Sequence, residues 1–128
     1  MQIIPMRGPG TTILVVDDDA LITLNTADVL TERGYKALEA FSAQEALDLL
    51  GKHPDIGALV TDYSMPGMNG LELADAARRL RPGLPILLTS GYAELPGDIA
   101  IDYVRLDKPY HEDDLTGRLA EMLAPAGQ

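Results

Sequence analysis

The stretch Ala58-Leu-Val-Thr-Asp-Tyr-Ser-Met-Pro-Gly-Met-Asn-Gly70 decides how the rest of this 128-residue chain is interpreted. Its apolar beginning is typical of a buried strand, which ends at a carboxylate, Asp62. A Met-Pro-Gly turn follows, and Asn69-Gly70 then opens a helical pattern. In an open α/β sheet, a carboxylate at the carboxyl end of a buried strand points into the crevice where such sheets bind ligands. Taken alone, Asp62 is better explained as a loop residue that caps the next helix, so the other strand ends must decide.

Five segments are predicted to be strands, and helical patterns separate them. Thr12–Val16 and Ile56–Thr61 are continuous apolar runs, as in strands that are buried on both faces. Tyr35–Ala40 alternates between polar and apolar residues, which favours an edge strand. Pro85–Ser90 is predicted to be a further buried strand, and Ile101–Leu106 the last one.

Apolar residues at helical spacing predict helices after the first three strands and after the last one. Asp19 is expected to cap the first helix and Gly34 to end it. Ser42 and Glu45 have the spacing of a capping box for the second helix, which Gly51 is expected to stop. The predicted core-facing stripes are Ile22, Val29 and Leu30; Ala46, Leu49 and Leu50; Leu73, Ala76, Ala77 and Leu80; and Leu115, Leu119, Met122 and Leu123.

Strands that alternate with helices over short links predict a parallel sheet with helices on both faces. Five such units fit a flavodoxin-like, doubly wound (βα)5 three-layer sandwich with strand order 2-1-3-4-5. Pro96 and Gly97 leave room for only a shortened fourth helix. We expect residues 11–124 to form this domain, with a disordered leader at 1–10 and a tail at 125–128.

Composition excludes several classes of function. The chain has no cysteine, which excludes disulfides, thiolate metal sites and a cysteine nucleophile. Its formal net charge of −10 argues against direct binding of nucleic acid or of an anionic membrane. No apolar run approaches the length of a membrane span, and the N-terminus lacks a signal-peptide pattern. We therefore expect a cytoplasmic protein with no nucleic-acid or membrane partner.

Side chains suited to phosphate chemistry follow the strand ends. Asp17 and Asp18 come after the first strand and Asp62 after the third, and these strands are neighbours at the switch point of the predicted sheet. Three carboxylates in one crevice repel one another, and a hard divalent cation, Mg²⁺ or Mn²⁺, would relieve the repulsion. Ser90 and Lys108 follow the neighbouring strands, where a hydroxyl and an ammonium suit a phosphoryl group. The pattern predicts phosphoryl transfer to a carboxylate nucleophile.

With these motifs in place, the sequence resembles a receiver domain of the two-component response regulators. The resemblance covers nearly all of residues 11–124. The matching motifs are Ile13-Leu-Val-Val-Asp-Asp-Asp19, Thr61-Asp-Tyr-Ser-Met-Pro-Gly-Met-Asn-Gly70, Pro85-Ile-Leu-Leu-Thr-Ser-Gly91 and Lys108-Pro109.

The resemblance implies a role for each site residue. Asp62 would be the phospho-acceptor. Asp18 would bind the metal directly, Asp17 would act largely through water, and the backbone carbonyl of Ser64 would complete the protein ligands. Two further roles are implied for residues at the other strand ends: the switch hydroxyl would be that of Ser90, and the side chain that pairs with the phosphoryl group would be Lys108, preceding a cis peptide bond to Pro109.

The resemblance also implies partners. The donor would be a phosphohistidine of a sensor histidine kinase or a phosphotransfer protein, and a downstream protein partner would read the phosphorylated state. The chain would promote only its own phosphorylation and dephosphorylation, so it would not be an enzyme. Since about four residues follow the last helix, we expect output through protein contacts or phosphate relay. Two alternatives stay open: a receiver excised from a hybrid histidine kinase, and a pseudo-receiver that only docks partners.

The chain departs from the family in two respects. The segment between Ser90 and Lys108 is shorter than is common, and the position of the usual aromatic switch is not aromatic. Many receivers carry an aromatic switch residue three positions before the lysine, where this chain has Arg105, with Tyr103 two residues earlier on the same face. We expect that the usual aromatic switch does not operate. Two other classes of function are disfavoured: a haloacid-dehalogenase-type phosphatase needs an acid where Ser64 stands, and a flavin phosphate would be repelled by the aspartates after the first strand.

Overall fold

The computed structural model describes residues 10–91 and 103–123, which form a five-stranded parallel sheet with helices on both faces. The sheet order is β2-β1-β3-β4-β5, as predicted for a flavodoxin-like doubly wound fold. In chain order the elements are β1 (Thr12–Val16), α1 (Ala20–Glu32), β2 (Lys36–Ala40), α2 (Ala43–Lys52), β3 (Ile56–Asp62), α3 (Gly70–Leu80), β4 (Ile86–Ser90), β5 (Val104–Asp107) and α4 (Glu112–Leu123).

Three predictions fall outside the described residues. These are the leader at 1–10, apart from Gly10, the shortened fourth helix between 92 and 100, and the tail at 125–128. Gly10 itself donates its N–H to the carbonyl of Gly34 over 2.7 Å. Among the described helices, none is long and apolar enough to cross a membrane.

The sheet separates two hydrophobic cores because successive strand residues point to opposite faces. On one face, Leu14, Leu59 and Ile86 pack with side chains of α2 and α3. On the other face, a second core contains Ile13, Val15, Ala58, Val60 and Leu87 from the strands, and Leu30, Leu115, Leu119 and Leu123 from α1 and α4. We call these the α2/α3 face and the α1/α4 face.

The helix starts largely follow the predicted caps. The Asp19 carboxylate accepts the N–H groups of Leu21 and Ile22, so it caps α1 as expected. The Ser42 hydroxyl accepts the Glu45 N–H over 3.1 Å. The Glu45 carboxylate returns its bond to the N–H of Phe41, one residue earlier than a capping box requires.

Some boundary and stripe predictions were wrong. Gly51 does not stop α2, which continues to Lys52 with His53 as its C-cap. Ile22 and Leu80 do not face the core, since their exposed fractions are 40% and 56%. The last strand is Val104–Asp107, rather than the predicted Ile101–Leu106, whose first two residues lie outside the described part of the chain.

Candidate functional site

The sheet register brings the three predicted carboxylates together. Val16 of β1 pairs with Thr61 of β3, so Asp17 and Asp62 leave neighbouring strands side by side. Carboxylate oxygens of Asp17, Asp18 and Asp62 lie within 4.8 Å of one another. Asp17 and Asp62 are each only 6% exposed, whereas Asp18 faces solvent. The cluster is therefore two buried acids with one exposed acid at the rim.

The pKa of Asp17 shows the electrostatic cost of this arrangement. Burial raises that pKa to about 6, and the nearby carboxylates of Asp62 and Asp18 add to the increase. The Asp19 N–H, which donates to Asp17 Oδ1 over 3.0 Å, and the Lys108 ammonium act in the opposite direction. A site of oxygen ligands that stays net negative, with three carboxylates and one ammonium, fits a hard divalent cation.

Asp62 is held by a hydroxyl from the adjacent strand β4 and by a cation that directly follows β5. Lys108 Nζ lies 2.8 Å from Asp62 Oδ1, and Thr89 Oγ1 donates to the same oxygen over 3.4 Å. The Lys108 N–H donates to the Ser90 carbonyl over 2.7 Å, and the Lys108–Pro109 peptide bond is cis, as predicted. The ammonium thus lies where it can contact both the carboxylate and an oxygen of a group bound to it.

A glycine allows α3 to begin against the end of β3. A Cβ atom on Gly70 would lie 2.1 Å from the carbonyl oxygen of Asp62, so no larger residue fits without moving the strand end. The Gly70 N–H donates to the Tyr63 carbonyl over 2.8 Å, and Asn69 with Glu72 forms a full capping box for α3. These contacts fix the backbone that carries Asp62.

Ser90 lies next to the site, but its hydroxyl does not contact Asp62 in this structure. Ser90 is fully buried, and its Oγ donates to Asp107 Oδ1 over 3.4 Å. Asp107 is the register partner of Ser90 on β5. Arg105 Nε lies 2.9 Å from the same Asp107 oxygen. The side chain of Ser64 is exposed, and its role as a carbonyl ligand stays a prediction.

Three residues near the site were missed by the sequence analysis: Thr89, Asp107 and Gly70. Thr89 is the register partner of Asp62, and the strand order alone would have placed it beside the acceptor. Asp107 was identifiable as an acid directly before the lysine, at a strand end. Gly70 stood in the quoted stretch, but its close approach to Asp62 depends on the path of the turn.

Comparison with known proteins agrees with this geometry. Residues 13–120 match the family model described as response regulator receiver domain. The response regulator receiver protein CpdR of Brucella abortus is 31% identical over 89% of this chain and 98% of its own length. The sensor kinase CckA of the same organism is 35% identical over 92% of this chain.

The chain spans only part of the first curated relatives that it matches: 13% of CckA and 54% of the phosphate regulon regulator PhoB of Pseudomonas aeruginosa. Among solved structures, a CheY-like receiver protein from Methanospirillum hungatei is 31% identical, with a TM-score of 0.80 over 89% of this chain and 94% of that one. The receiver domain of the hybrid histidine kinase CckA is also 31% identical, with a TM-score of 0.76 over 88% of this chain and 99% of that one. The chain therefore belongs to the response regulator receiver domain family of two-component systems.

Proposed function

We propose that this receiver accepts a phosphoryl group on Asp62 from a phosphohistidine of a sensor histidine kinase or a phosphotransfer protein. Receiver domains interact with such partners, and the choice of Asp62 is our inference. One observation carries it: the Asp62 carboxylate is buried, lies 2.8 Å from Lys108 Nζ, and shares a crevice with two further carboxylates.

The proposed reaction is a direct displacement at phosphorus. A lone pair of an Asp62 carboxylate oxygen forms the new P–O bond while the P–N bond breaks, and its electron pair returns to the imidazole nitrogen of the donor. Lys108 offsets negative charge on the phosphoryl oxygens as they arrive, which is the kind of preorganised electrostatic contribution that dominates phosphoryl transfer. Water later hydrolyses the acyl phosphate at the same site and regenerates the Asp62 carboxylate.

Receiver domains bind Mg²⁺ in an acidic pocket, and the residues here fit such an ion, Mg²⁺ or Mn²⁺. We infer that Asp17, Asp18 and Asp62 would hold it together with the Ser64 backbone carbonyl, with Asp17 acting largely through water. When bound, the ion supplies positive charge that offsets the charge on the phosphoryl oxygens. The raised pKa of Asp17 supports this assignment, because burial disfavours the charged carboxylate, the carboxylates of Asp62 and Asp18 add to that effect, and a bound cation would offset both.

Receiver domains are not classical enzymes, and we infer that this one promotes only its own phosphorylation and dephosphorylation. The output is proposed to be a change in contacts with a downstream protein, started by Ser90 and the loop after β4. We further propose that the functional unit spans residues 11–124 and acts in the cytoplasm. The similarity to the CckA receiver supports a phosphorelay as the alternative setting.

Mass spectrometry after incubation with acetyl phosphate and Mg²⁺ tests the proposal. We expect one added phosphoryl group, which hydroxylamine removes, as for an acyl phosphate. When Mg²⁺ is chelated before acetyl phosphate is added, the phosphoryl group should not be added. Asp62→Ala should abolish the modification. Asp48→Ala, which removes an exposed acid on α2 away from the site, is the matched control and should be modified like wild type. A phosphoryl group that persists in Asp62→Ala would remove Asp62 from this role.

A further inference from the structure

The hydroxyl of Ser90 belongs to a different face of the sheet from the acceptor. Ile86 of β4 packs in the α2/α3 core, and strand alternation places Ser90 on the same side. Val60 packs in the α1/α4 core, and Asp62 follows it on that side. In this conformation the Ser90 Oγ donates to Asp107 Oδ1 over 3.4 Å, so the hydroxyl is directed away from the phosphoryl site.

A cation keeps Asp107 in place over Ser90. Arg105 lies two residues before Asp107 on the same side of β5, and its Nε contacts the same oxygen, Oδ1, over 2.9 Å. Ser90 itself is fully buried, whereas the side chains of Arg105 and Asp107 are 33% and 68% exposed. The partly exposed ion pair therefore presents a buried hydroxyl with an acceptor.

The side chain of Tyr103, two residues before Arg105, contacts α3. The Tyr103 hydroxyl donates to the Asp75 carboxylate on α3, and the guanidinium of Arg78 lies 4.8 Å from the centre of the Tyr103 ring. Tyr103 also packs against the α2/α3 core. Rotating this ring would break both polar contacts with α3, which favours a structural role for Tyr103.

We propose that the Arg105–Asp107 pair is a latch that holds the Ser90 hydroxyl in its resting orientation and takes the place of an aromatic switch. This inference rests on the proposed function, because the competing acceptor is a phosphoryl oxygen on Asp62. A phosphoryl group carries up to two negative charges and three acceptor oxygens, so it competes effectively with the single carboxylate of Asp107 for the Ser90 hydroxyl. When the Ser90 hydroxyl turns to the phosphoryl group, it exchanges one acceptor for another. Asp107 keeps its contact with Arg105. The two arrangements therefore form a two-state element that a local charge change can bias.

The first test is the initial rate of Asp62 phosphorylation by acetyl phosphate with Mg²⁺. Asp107→Ala removes the resting acceptor, and we expect the rate to rise about 3- to 10-fold, the range that one net hydrogen bond supplies. Arg105→Ala should act in the same direction with a smaller effect. Arg79→Ala removes an exposed arginine in the last turn of α3, and it should leave the rate unchanged.

A double-mutant cycle separates the latch from simple removal of negative charge. In a Ser90→Ala background the latch has nothing to hold, so Asp107→Ala should no longer accelerate the reaction. Asp107→Asn keeps an acceptor oxygen for Ser90 but removes the charge, and it should accelerate less than Asp107→Ala. An equal acceleration by Asp107→Ala with and without the Ser90 hydroxyl would overturn the latch.

A second readout does not need phosphorylation. NMR coupling constants should report one Ser90 side-chain rotamer in the unmodified wild type and averaging over several in Asp107→Ala. A single unchanged rotamer in Asp107→Ala would overturn the latch whatever the kinetics show. If the rotamers average but the wild type is never modified on Asp62, the resting contact stands, and both the proposed function and its switching by phosphate are wrong.

Discussion

The two faces of the sheet differ in chemistry at the same edge, where the strands end. On the α1/α4 face, Asp62 is 6% exposed and paired with Lys108 beside two other acids. On the α2/α3 face, Ser90 donates to Asp107, which pairs with Arg105, and both charged side chains reach solvent. Strand alternation sorts consecutive residues, such as Thr89 and Ser90, to opposite sides. We call the group around Asp62 and Lys108 the acceptor side, and the group around Ser90, Asp107 and Arg105 the control side. Adjacent residues of one strand can therefore belong to the two different sides.

The difference in burial predicts that substitutions on the two sides change the phosphorylation rate by different amounts. Charges at a buried site interact strongly because the local dielectric is low, so removing one partner of a buried ion pair has a large energetic cost. Exposed ion pairs are worth little by themselves, typically below about 1 kcal/mol. Substitutions on the acceptor side should therefore change rates by orders of magnitude, whereas those on the control side should shift a balance.

The largest expected effect follows removal of the Lys108 ammonium. Lys108→Ala leaves Asp62 without its cation, and the arriving phosphoryl oxygens lose their positive contact. We expect the initial rate with acetyl phosphate to fall about 10²- to 10³-fold, as when one preorganised donor is lost. The rate is measured by intact-protein mass spectrometry at saturating Mg²⁺.

Lys52→Ala is the matched control for Lys108→Ala, because it removes an exposed lysine at the end of α2. It should react like the wild type. A Lys108→Ala variant that stays folded and keeps a rate within threefold of the wild type would show that the ammonium is dispensable. The acceptor side would then not be the more sensitive one.

The next effect concerns pH and the Asp17 carboxyl. Its pKa is raised from 3.8 to about 6 in the folded chain, so between these values the folded state binds more protons than the unfolded state. Asp17 therefore adds stability at low pH that is lost as pH rises through about 6, roughly 2–3 kcal/mol in all. Because Mg²⁺ needs the ionised carboxylate, its stabilising effect should be larger at pH 7.5 than at pH 5.

Urea unfolding at both pH values, with and without Mg²⁺, measures this linkage. In Asp17→Asn, the free energy of unfolding should differ less between the two pH values than in the wild type. Without Mg²⁺ the variant should be more stable than the wild type at pH 7.5, and Mg²⁺ should stabilise it less. The comparison with wild type removes the contribution of the other carboxyls, which titrate in both proteins. If Asp17→Asn shows the same pH dependence as the wild type, the raised pKa does not originate at this residue.

Sequence patterns predicted the acceptor side well because its geometry follows from topology. The order of the strands and the position of each acid after a strand were sufficient to bring Asp17 and Asp62 to one crevice. Helical stripes were less informative at the ends of helices. Ile22 and Leu80 have the right spacing, but each lies in an end turn of its helix, α1 and α3, and remains exposed.

The control side could not be predicted from local patterns. The orientation of the Ser90 hydroxyl is set by its hydrogen bond to Asp107, which is 17 residues away in the chain. That choice depends on the β4–β5 register, in which Ser90 pairs with Asp107. The sequence placed Ser90 near the phosphoryl site but carried no signal for the resting partner of its hydroxyl.

The smallest expected effect concerns the Tyr103 hydroxyl, which lies on the same face of the sheet as Ser90 but bonds to α3. Tyr103→Phe removes the hydroxyl that donates to Asp75 but keeps the ring under Arg78. We expect a loss of about 0.5–1 kcal/mol in the free energy of unfolding, and an initial phosphorylation rate within twofold of the wild type. Urea unfolding and the acetyl phosphate assay measure the two quantities.

Asp75→Asn, alone and with Tyr103→Phe, is the companion to Tyr103→Phe, since both changes act on one hydrogen bond. Their effects on stability should be less than additive because the contact can be lost only once. The opposite pattern, in which Tyr103→Phe changes the phosphorylation rate as strongly as Asp107→Ala, would make the tyrosine the switch. In that case the tyrosine, held by α3 in the resting state, would have to leave Asp75 on phosphorylation, and the Arg105–Asp107 pair would be a bystander.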